Sequence, residues 1–345
     1  MSEFSAYPLT AIVSPGGASR LSSSPNNNHN TQQNAQEKWK QLLRRDGLSK
    51  VLIPQPIKHP LAMTIANARE NIPWGDKLGA KDPKHVRVYA SNVNGIHLDE
   101  RGGQFDSLCK VHKENQADIT CGQEHNLDTT KPEVRTILYK TAKQHWQRHR
   151  MTFGTSPIPF KTQHKPGGTF ILTTGNVTGR VIKQERDKWG RWVSQEYQGH
   201  DGQLLVIFSV YQPVAKRGVQ GKTTVAAQQI SLLLLSKDTT HDPRTAFRRD
   251  LLHEIKVHTI KGKHILILGD FNESLGSDAD GISHIAGHLG LMDVMASRHS
   301  TQPPASYARG SKCLDYAIAS SQVCSALKKA GYDAFNARLH SDHRG

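Results

Sequence analysis

The stretch His264-Ile-Leu-Ile-Leu-Gly-Asp270-Phe-Asn272 decides the fold of this chain. Its apolar run predicts a buried strand that ends at a carboxylate and, two residues later, a carboxamide. Because successive side chains of an extended segment alternate between its two faces, we expect Asp270 and Asn272 on the same side. An acid beside a neutral donor is suited to hold an attacking water and one oxygen of a phosphate. The stretch therefore predicts a site for phosphate hydrolysis at the end of this strand.

Polar residues occur at the ends of other predicted strands as well. Taken singly, such a residue is usually a helix N-terminal acid or a solvated side chain. An ordered set of them at strand ends favours a single site. The set consists of Asn92 and Asn94 after segment 86–91, Glu124 after segment 117–121, Tyr211 at the end of segment 204–211, Asp315 within Leu314-Asp-Tyr316, and Asp342 and His343 near the C-terminus.

Strand-like and helix-like segments are mixed along the chain. This mixture favours an α/β fold with two sheets packed face to face and helices outside, rather than a simple βαβ array. Helical spacing is expected at 105–114, 132–146 with a cap at Thr129-Thr130, 223–235, 243–259, 281–295 with breaks at Gly287 and Gly290, and 321–330. The remaining strands are expected at 167–174, 179–183, 192–197 and 313–320, and segment 336–343 approaches a last strand.

The charge of the chain favours a polyanionic partner. Its 345 residues carry a formal net charge of +15, which indicates nucleic acid first and an acidic membrane surface second. Fully apolar runs such as Leu232 to Leu235 are too short to span a bilayer, so no membrane partner is expected. The four cysteines form no CxxC pair and indicate reduced thiols of an intracellular protein. With DNA as the partner, we expect a nuclear location.

Three regions are expected along the chain. Residues 1–48 are rich in Ser, Asn, Gln, Gly and Pro, and such a segment buries too little apolar surface to offset its ordering entropy, so it is expected to be disordered. Residues 49–84 contain several prolines and no sustained period, which indicates a linker or extension. Residues 85–345 are expected to form the α/β domain.

In their order along the chain, these motifs resemble the endonuclease/exonuclease/phosphatase superfamily, which includes exonuclease III-type abasic-site nucleases, deoxyribonuclease I and inositol phosphatases. The chain is most similar to the endonuclease-like domain of non-LTR retroelements. The resemblance implies a four-layered α/β/β/α sandwich. It also implies that the domain is truncated at its C-terminus and lacks its final strand, because the family continues after the motif that ends at His343. The residues that carry the resemblance are Asn92-Val-Asn94-Gly95, Gln123-Glu124, Gly167-Gly168, Val210-Tyr211-Gln-Pro213, Gly269-Asp270-Phe271-Asn272, Leu314-Asp315-Tyr316 and Ser341-Asp342-His343.

The resemblance also implies a metal site. Glu124 would be the principal ligand of Mg²⁺, with Mn²⁺ as an alternative, because these ions prefer a few carboxylates, substrate phosphate and retained waters. Asn92 would bind the metal or orient one of its waters, and Asn94 would support the same shell. Asp342 would reach the metal directly or through water. The number of metal ions is left open.

Five further residues would carry the reaction. Asp270 would orient and deprotonate the attacking water, and Asn272 would hold the scissile phosphate. His343 would contact a non-bridging phosphate oxygen. Asp315 would pair with His343, fix its ring and raise its pKa. Tyr211 would hydrogen-bond the phosphate or assist the leaving group.

Three functions follow as hypotheses. The first is a Mg²⁺-dependent DNA endonuclease of retroelement or repair type; in the retroelement case, a longer parent protein would carry a reverse transcriptase region C-terminal to this domain. The second is a phosphatase of inositol phosphate or another small phosphoester. The third is an inactive, truncated domain that acts as an interaction module. Target sequence and oligomeric state are not determined by the sequence.

Overall fold

Two mixed sheets pack face to face and are covered by helices on their outer sides in the computed structural model, which describes residues 71–215, 223–238, 242–337, 339 and 341–345. Apolar residues of both sheets, among them Cys121, Ile171 and Ile207, are buried together between the layers. Phe105 and Leu138 cover the outer face of one sheet, and Phe247 and Leu251 cover the other. The expected four-layered α/β/β/α sandwich is confirmed.

The smaller sheet has four strands in the order β2-β3-β5-β4, and the larger has six in the order β10-β11-β9-β8-β7-β6. The strands are β1 Trp74–Gly75, β2 Val88–Asn92, β3 Ile119–Gln123, β4 His149–Gly154, β5 Thr169–Thr174, β6 Val181–Arg186, β7 Trp192–Gln198, β8 Leu204–Tyr211, β9 His264–Asp270, β10 Leu291–Asp293, β11 Asp315–Ser320 and β12 Gly331–Tyr332. The helices are α1 Gly103–Glu114, α2 Pro132–His145, α3 Val225–Leu235, α4 Pro243–Ile260, α5 Ile282–His288, α6 Val294–Arg298 and α7 Ser321–Ala326.

The prediction of one broken helix over 281–295 was partly wrong. Helix α5 ends at His288, and Gly290 follows with a φ of 65°, a left-handed conformation that favours glycine. Residues Leu291–Asp293 then form β10, which pairs antiparallel with β11. Tertiary pairing with a distant strand therefore overrides the helical spacing of this segment.

Two smaller predictions were also wrong. Helix α2 begins after Lys131 without a side-chain cap, since the Thr130 hydroxyl donates to Asp128 instead. Helix α7 stops at Ala326, and the end of the expected 321–330 helix leads into β12. Among the described residues of 336–343 there is no strand, and only an isolated bridge joins His343 to Tyr307.

The described part of the expected linker, residues 71–84, packs against the domain. Trp74 and Gly75 pair with β12, and Lys81 forms an ion pair of 2.6 Å with Asp118. Residues 1–70, which include the segment expected to be disordered, lie outside the described residues. Among the described helices, we find none with the length and apolar character needed to cross a membrane.

His112 makes the stability of the fold dependent on pH. It lies buried in the last turn of α1, with its ring nitrogens 2.6 Å from Thr120 Oγ1 and 2.8 Å from Thr174 Oγ1. Burial lowers its pKa from 6.5 to about 4. Between these pH values the unfolded chain binds a proton that the folded chain does not, so stability rises with pH. We expect this histidine alone to remove up to about 3 kcal/mol from the free energy of unfolding as the pH falls through this window.

Urea unfolding at several pH values checks this expectation. The variant His112→Gln should lose about 1–2 kcal/mol at neutral pH through its altered packing and hydrogen bonds, but its stability should decline less steeply toward pH 4. The exposed His97, changed to Gln, is the matched control and should leave the pH dependence of the wild type unchanged. An equally steep decline in wild type and His112→Gln would contradict the assignment.

Candidate active site

Three adjacent strands of the larger sheet bring acidic and phenolic side chains into one row. In the parallel pair β8–β9, Tyr211 is opposite Asp270, and in the antiparallel pair β9–β11, Asp270 is opposite Asp315. The predicted ends of β8 and β9 therefore lie beside the start of β11. The pairing register of the three strands is sufficient to bring Tyr211, Asp270 and Asp315 together. Residues spaced widely in the chain become direct neighbours.

Asn92, at the end of β2, links the two sheets. Its Nδ2 donates to Glu124 Oε2 at 3.0 Å and to Asp270 Oδ2 at 2.9 Å. The amide orientation is set by the backbone N–H of Asn94, which donates to Asn92 Oδ1 at 2.9 Å. Asn92 therefore holds one carboxylate from each sheet at a defined separation.

Asp270 lies buried at the centre of the site, with 1% of its surface exposed. Its Oδ1 accepts the backbone N–H of Asn272 at 2.8 Å, and its Oδ2 accepts the Asn92 amide. Burial and the negative charge of Asp315 raise the pKa of Asp270 to about 7, against the lowering effect of His343. A carboxylate with this pKa is suited to accept a proton near neutral pH.

His343 lies between two carboxylates. Its Nδ1 is 2.9 Å from Asp315 Oδ2, and its Nε2 is 4.0 Å from Asp270 Oδ2. Burial lowers the pKa of His343, but the charge of Asp315 and its hydrogen bond more than offset this effect and raise the pKa to about 9. The imidazolium is therefore the favoured form at neutral pH, with Nε2 directed toward Asp270.

The segment that carries His343 is held by contacts other than a strand. Ser341 Oγ donates to the carbonyl of Asn92 at 2.6 Å and accepts the backbone N–H of His343 at 3.1 Å. The buried Arg344 donates to the carbonyls of Ala305, Ile72 and Asp333 at 2.9–3.0 Å. These bonds keep His343 opposite Asp270 without sheet pairing.

Tyr211 and Asn272 lie beside these groups. The Tyr211 hydroxyl interacts with Glu124 and Asn272, and burial, with the charges of Glu124 and Asp270, raises its pKa well above the usual range. Tyr211 therefore stays protonated as a donor. Asn272 Nδ2 donates to the carbonyl of Gln212 at 2.8 Å and is 3.4 Å from Asp270 Oδ2, so its second proton is only weakly engaged.

The backbone is left-handed at three of the site residues. The φ angles are 47° at Asn94, 57° at Glu124 and 48° at Asn272. Non-glycine residues adopt this region uncommonly, and such outliers persist where the surrounding structure imposes them. The positive φ values occur where the chain turns out of β2, β3 and β9 to present these side chains.

The other predicted metal-ligating residues form an acidic group beside Tyr211. Glu124 is half-buried, and burial raises its pKa, with a further contribution from the charge of Asp342. Asn94 Nδ2 donates to Asp342 Oδ1 at 2.9 Å, and Asp342 also pairs with the exposed Arg309 at 3.3 Å. No described Lys, Arg or His forms an ion pair with Glu124. Two carboxylates and neighbouring amides are a donor set that fits a hard divalent cation.

Sequence reasoning missed several residues that hold the backbone of the site residues in place. Arg244 donates to the carbonyl of Asn272 at 3.1 Å and pairs with the buried Glu273 at 2.6 Å. Gln212 Nε2 donates to the carbonyl of Phe271 and, at 2.8 Å, to Glu273. Ser306 Oγ accepts the backbone N–H of Asp315 at 3.0 Å. The local signals were Glu273 directly after Asn272 and Gln212 directly after Tyr211, and their partners are far apart in sequence.

Comparison with known proteins agrees with this architecture. A model of the Endonuclease/Exonuclease/phosphatase family matches residues 90–342. The AP endonuclease LMAP from Leishmania major has a TM-score of 0.55 and 14% identity, over 76% of this chain and 87% of that chain. The 3′ phosphatase NExo from Neisseria, bound to a product DNA hairpin, has a TM-score of 0.50 and 14% identity, over 75% and 97%. The endonuclease domain of TRAS1, a telomere-specific non-LTR retrotransposon, has a TM-score of 0.45 and 14% identity, over 75% and 94%. No curated protein matches the chain.

Proposed function

Because this chain belongs to the Endonuclease/Exonuclease/phosphatase family, we propose that it is a metal-dependent phosphodiesterase that nicks DNA. One observation carries the proposal: the buried Asp270 carboxylate lies between the amide of Asn92 and the imidazole of His343, at 2.9 Å and 4.0 Å. A general base (Asp270) and an imidazolium (His343) in this arrangement can act on the same phosphate group. The net charge of +15 favours DNA over a small phosphoester as the substrate.

In the proposed reaction, Asp270 Oδ2 accepts a proton from a water as the water oxygen attacks phosphorus. The bond from phosphorus to O3′ breaks, and O3′ takes up a proton from solvent water, which leaves a 3′-hydroxyl and a 5′-phosphate. The His343 imidazolium donates a hydrogen bond to a non-bridging oxygen, where negative charge increases in the transition state. Asn272 holds the same phosphate, and the protonated Tyr211 donates to the phosphate or to the leaving oxygen.

Glu124, Asn92, Asn94 and Asp342 would hold Mg²⁺ or Mn²⁺. The ion would supply charge neutralisation at the phosphate and lower the pKa of a bound water. Asn92 would in addition act as a positioning residue, since its amide donates to Glu124 and Asp270 together. Asp315 would act through His343 by keeping it protonated and fixing its ring.

Within this activity we favour a retroelement-type nick that provides a 3′-hydroxyl for priming, with repair at abasic sites as a close relative. The polar N-terminal segment and the basic balance of the chain support this choice. On this proposal the protein acts in the nucleus, and a reverse transcriptase region would belong to the longer parent protein.

Plasmid nicking tests the proposed function. The full chain with Mg²⁺ or Mn²⁺ should convert supercoiled plasmid to the open circle, and EDTA should abolish the conversion. An abasic-site duplex and an inositol phosphate are parallel substrates that separate repair nuclease and phosphatase from an ordinary endonuclease. Nicking that persists in EDTA, or phosphate release from inositol phosphate without any nicking, would overturn the proposal.

Metal binding can be measured apart from activity. At a Mg²⁺ concentration about 100-fold above its Kd, the wild type should gain about 2.7 kcal/mol of stability, which a thermal melt detects. Glu124→Gln keeps an oxygen for the Asn92 amide but removes the charge, so its melting temperature should respond far less to Mg²⁺. The exposed Asp280→Asn is the matched control and should respond as the wild type does.

A further inference from the structure

A cavity of about 510 Å³ lies at the opposite end of the smaller sheet from the candidate active site. Its walls include Arg148, His149, Arg150 and Tyr139. His149 pairs with Thr174 at the far end of the β4–β5 ladder. Gly154 and Thr169 close the other end of that ladder, next to the Gly168 carbonyl that accepts the Glu124 N–H. Five residues of strand separate the two ends by about 17 Å, so the cavity is a separate site.

Two arginines with no counter-ion among the described residues dominate the cavity. No described acidic residue lines it, and no described carboxylate forms an ion pair with Arg148 or Arg150. Both side chains line the same cavity, Arg150 from β4 and Arg148 from the bend directly before that strand. Like charges held together in this way repel each other, and an anion between them removes that cost.

Arg150 is preorganised to receive an anion. Its Nε donates to the carbonyl of Thr178 at 3.2 Å, which anchors the guanidinium at one edge. Both Nη groups then remain for a ligand, in the planar arrangement that matches a phosphate. Gly179 also lines the cavity, and a Cβ built there would meet nothing within 4 Å, so the backbone at this wall is open to an incoming group.

An aromatic surface stands next to the arginines. Tyr139 is 50% exposed, and its ring lies 6.0 Å from that of His149 at an interplanar angle of 48°. His149 Nδ1 is 3.2 Å from the carbonyl of Trp146, which directs the other ring nitrogen away from the backbone. An exposed aromatic face beside a phosphate receptor is the combination that binds a nucleotide of a single strand.

We propose that this cavity is a second nucleic-acid site, which binds the phosphates of a single strand through Arg148 and Arg150 and stacks a base on Tyr139. The strand is favoured over a free nucleotide because β4 is an edge strand of its sheet, so the cavity opens at the side of the domain where a polymer can pass. The positive charge of the chain would draw the strand to this site. The site lets the domain hold one strand while the active site engages another.

Fluorescence anisotropy with a labelled oligothymidylate, measured on the full chain in EDTA, tests this inference without catalysis. For Arg148→Ala/Arg150→Ala we expect affinity to fall about tenfold and the slope of log K against log salt to fall by about 1.4, the value for two lost phosphate contacts. Tyr139→Ala should weaken binding by about tenfold while Tyr139→Phe retains it, since stacking needs the ring and not the hydroxyl.

The matched control is Lys84→Ala/Lys113→Ala, which removes two exposed charges elsewhere. Equal losses in the control and in the arginine variant would overturn the site in favour of general charge attraction. Wild-type affinity in the arginine variant would overturn it outright. Displacement of the oligonucleotide by thymidine monophosphate at the same phosphate concentration would assign the cavity to a free nucleotide instead of a strand. All the substituted arginine and lysine side chains are exposed, so the melting temperatures should be unchanged.

Discussion

Asp270→Asn is expected to lower kcat for DNA nicking by about 10²- to 10⁴-fold, the range for loss of a general base. The amide has nearly the shape of the carboxylate but cannot accept the water proton. Its oxygen can keep one of the hydrogen bonds from Asn92 and the Asn272 backbone, while its nitrogen faces a donor at the other. KM should change much less than kcat, because the substituted group acts on the water and not on DNA binding. Single-turnover nicking of a labelled duplex measures the chemical step directly.

The fold of Asp270→Asn should survive the change. Burial and the charge of Asp315 both disfavour the ionised form of Asp270, so removing this charge stabilises the folded protein. This gain offsets the stability lost with one hydrogen bond. A thermal melt should therefore place the variant close to the wild type. Asp280→Asn makes the same chemical change at an exposed position and should keep full activity. A kcat for Asp270→Asn within about threefold of the wild type would reject Asp270 as the base.

The second expected result concerns the pair of Asp315 and His343. Removing the imidazole in His343→Ala should lower kcat by about 10²- to 10³-fold, as for loss of one donor to the developing negative charge. Asp315→Ala should cost nearly as much, because the 2.9 Å contact that holds the ring and favours its protonation is lost. The double variant should be no slower than His343→Ala alone.

This double-mutant cycle separates a positioning role from an independent one. If Asp315 acts through His343, its substitution has no effect once the ring is gone, so the effects on ln kcat are not additive. Additive losses would show that Asp315 acts on substrate or metal by itself. Tyr307→Phe is a suitable control, because Tyr307 contacts the His343 ring at 5.0 Å but no hydrogen bond joins their side chains.

Much of the site was predictable because its side chains follow strands with strong local patterns. Segment 264–270 lies at β9 as expected, and 204–211 coincides with β8, since uninterrupted apolar runs bounded by turn residues are typical of buried strands. Motif order then indicated which strand ends should converge. The prediction was weakest after residue 280, where Leu291–Asp293 forms a strand because β11 lies beside it.

The sequence by itself determined most strands of the two sheets, although not β4 or β10. It also determined the alternation that directs Asp270 and Asn272 to one side, and the membership of these residues in one ordered motif set. Only the tertiary structure decided that Asn92 joins Glu124 to Asp270 across the sheets, that Arg244 and Glu273 support Asn272, and that Arg148 and Arg150 share a cavity with no counter-ion among the described residues. The physical reason is the distance along the chain over which each feature is set. Side-chain alternation is a property of neighbouring residues, whereas hydrogen bonds and ion pairs between distant residues exist only after the layers have packed.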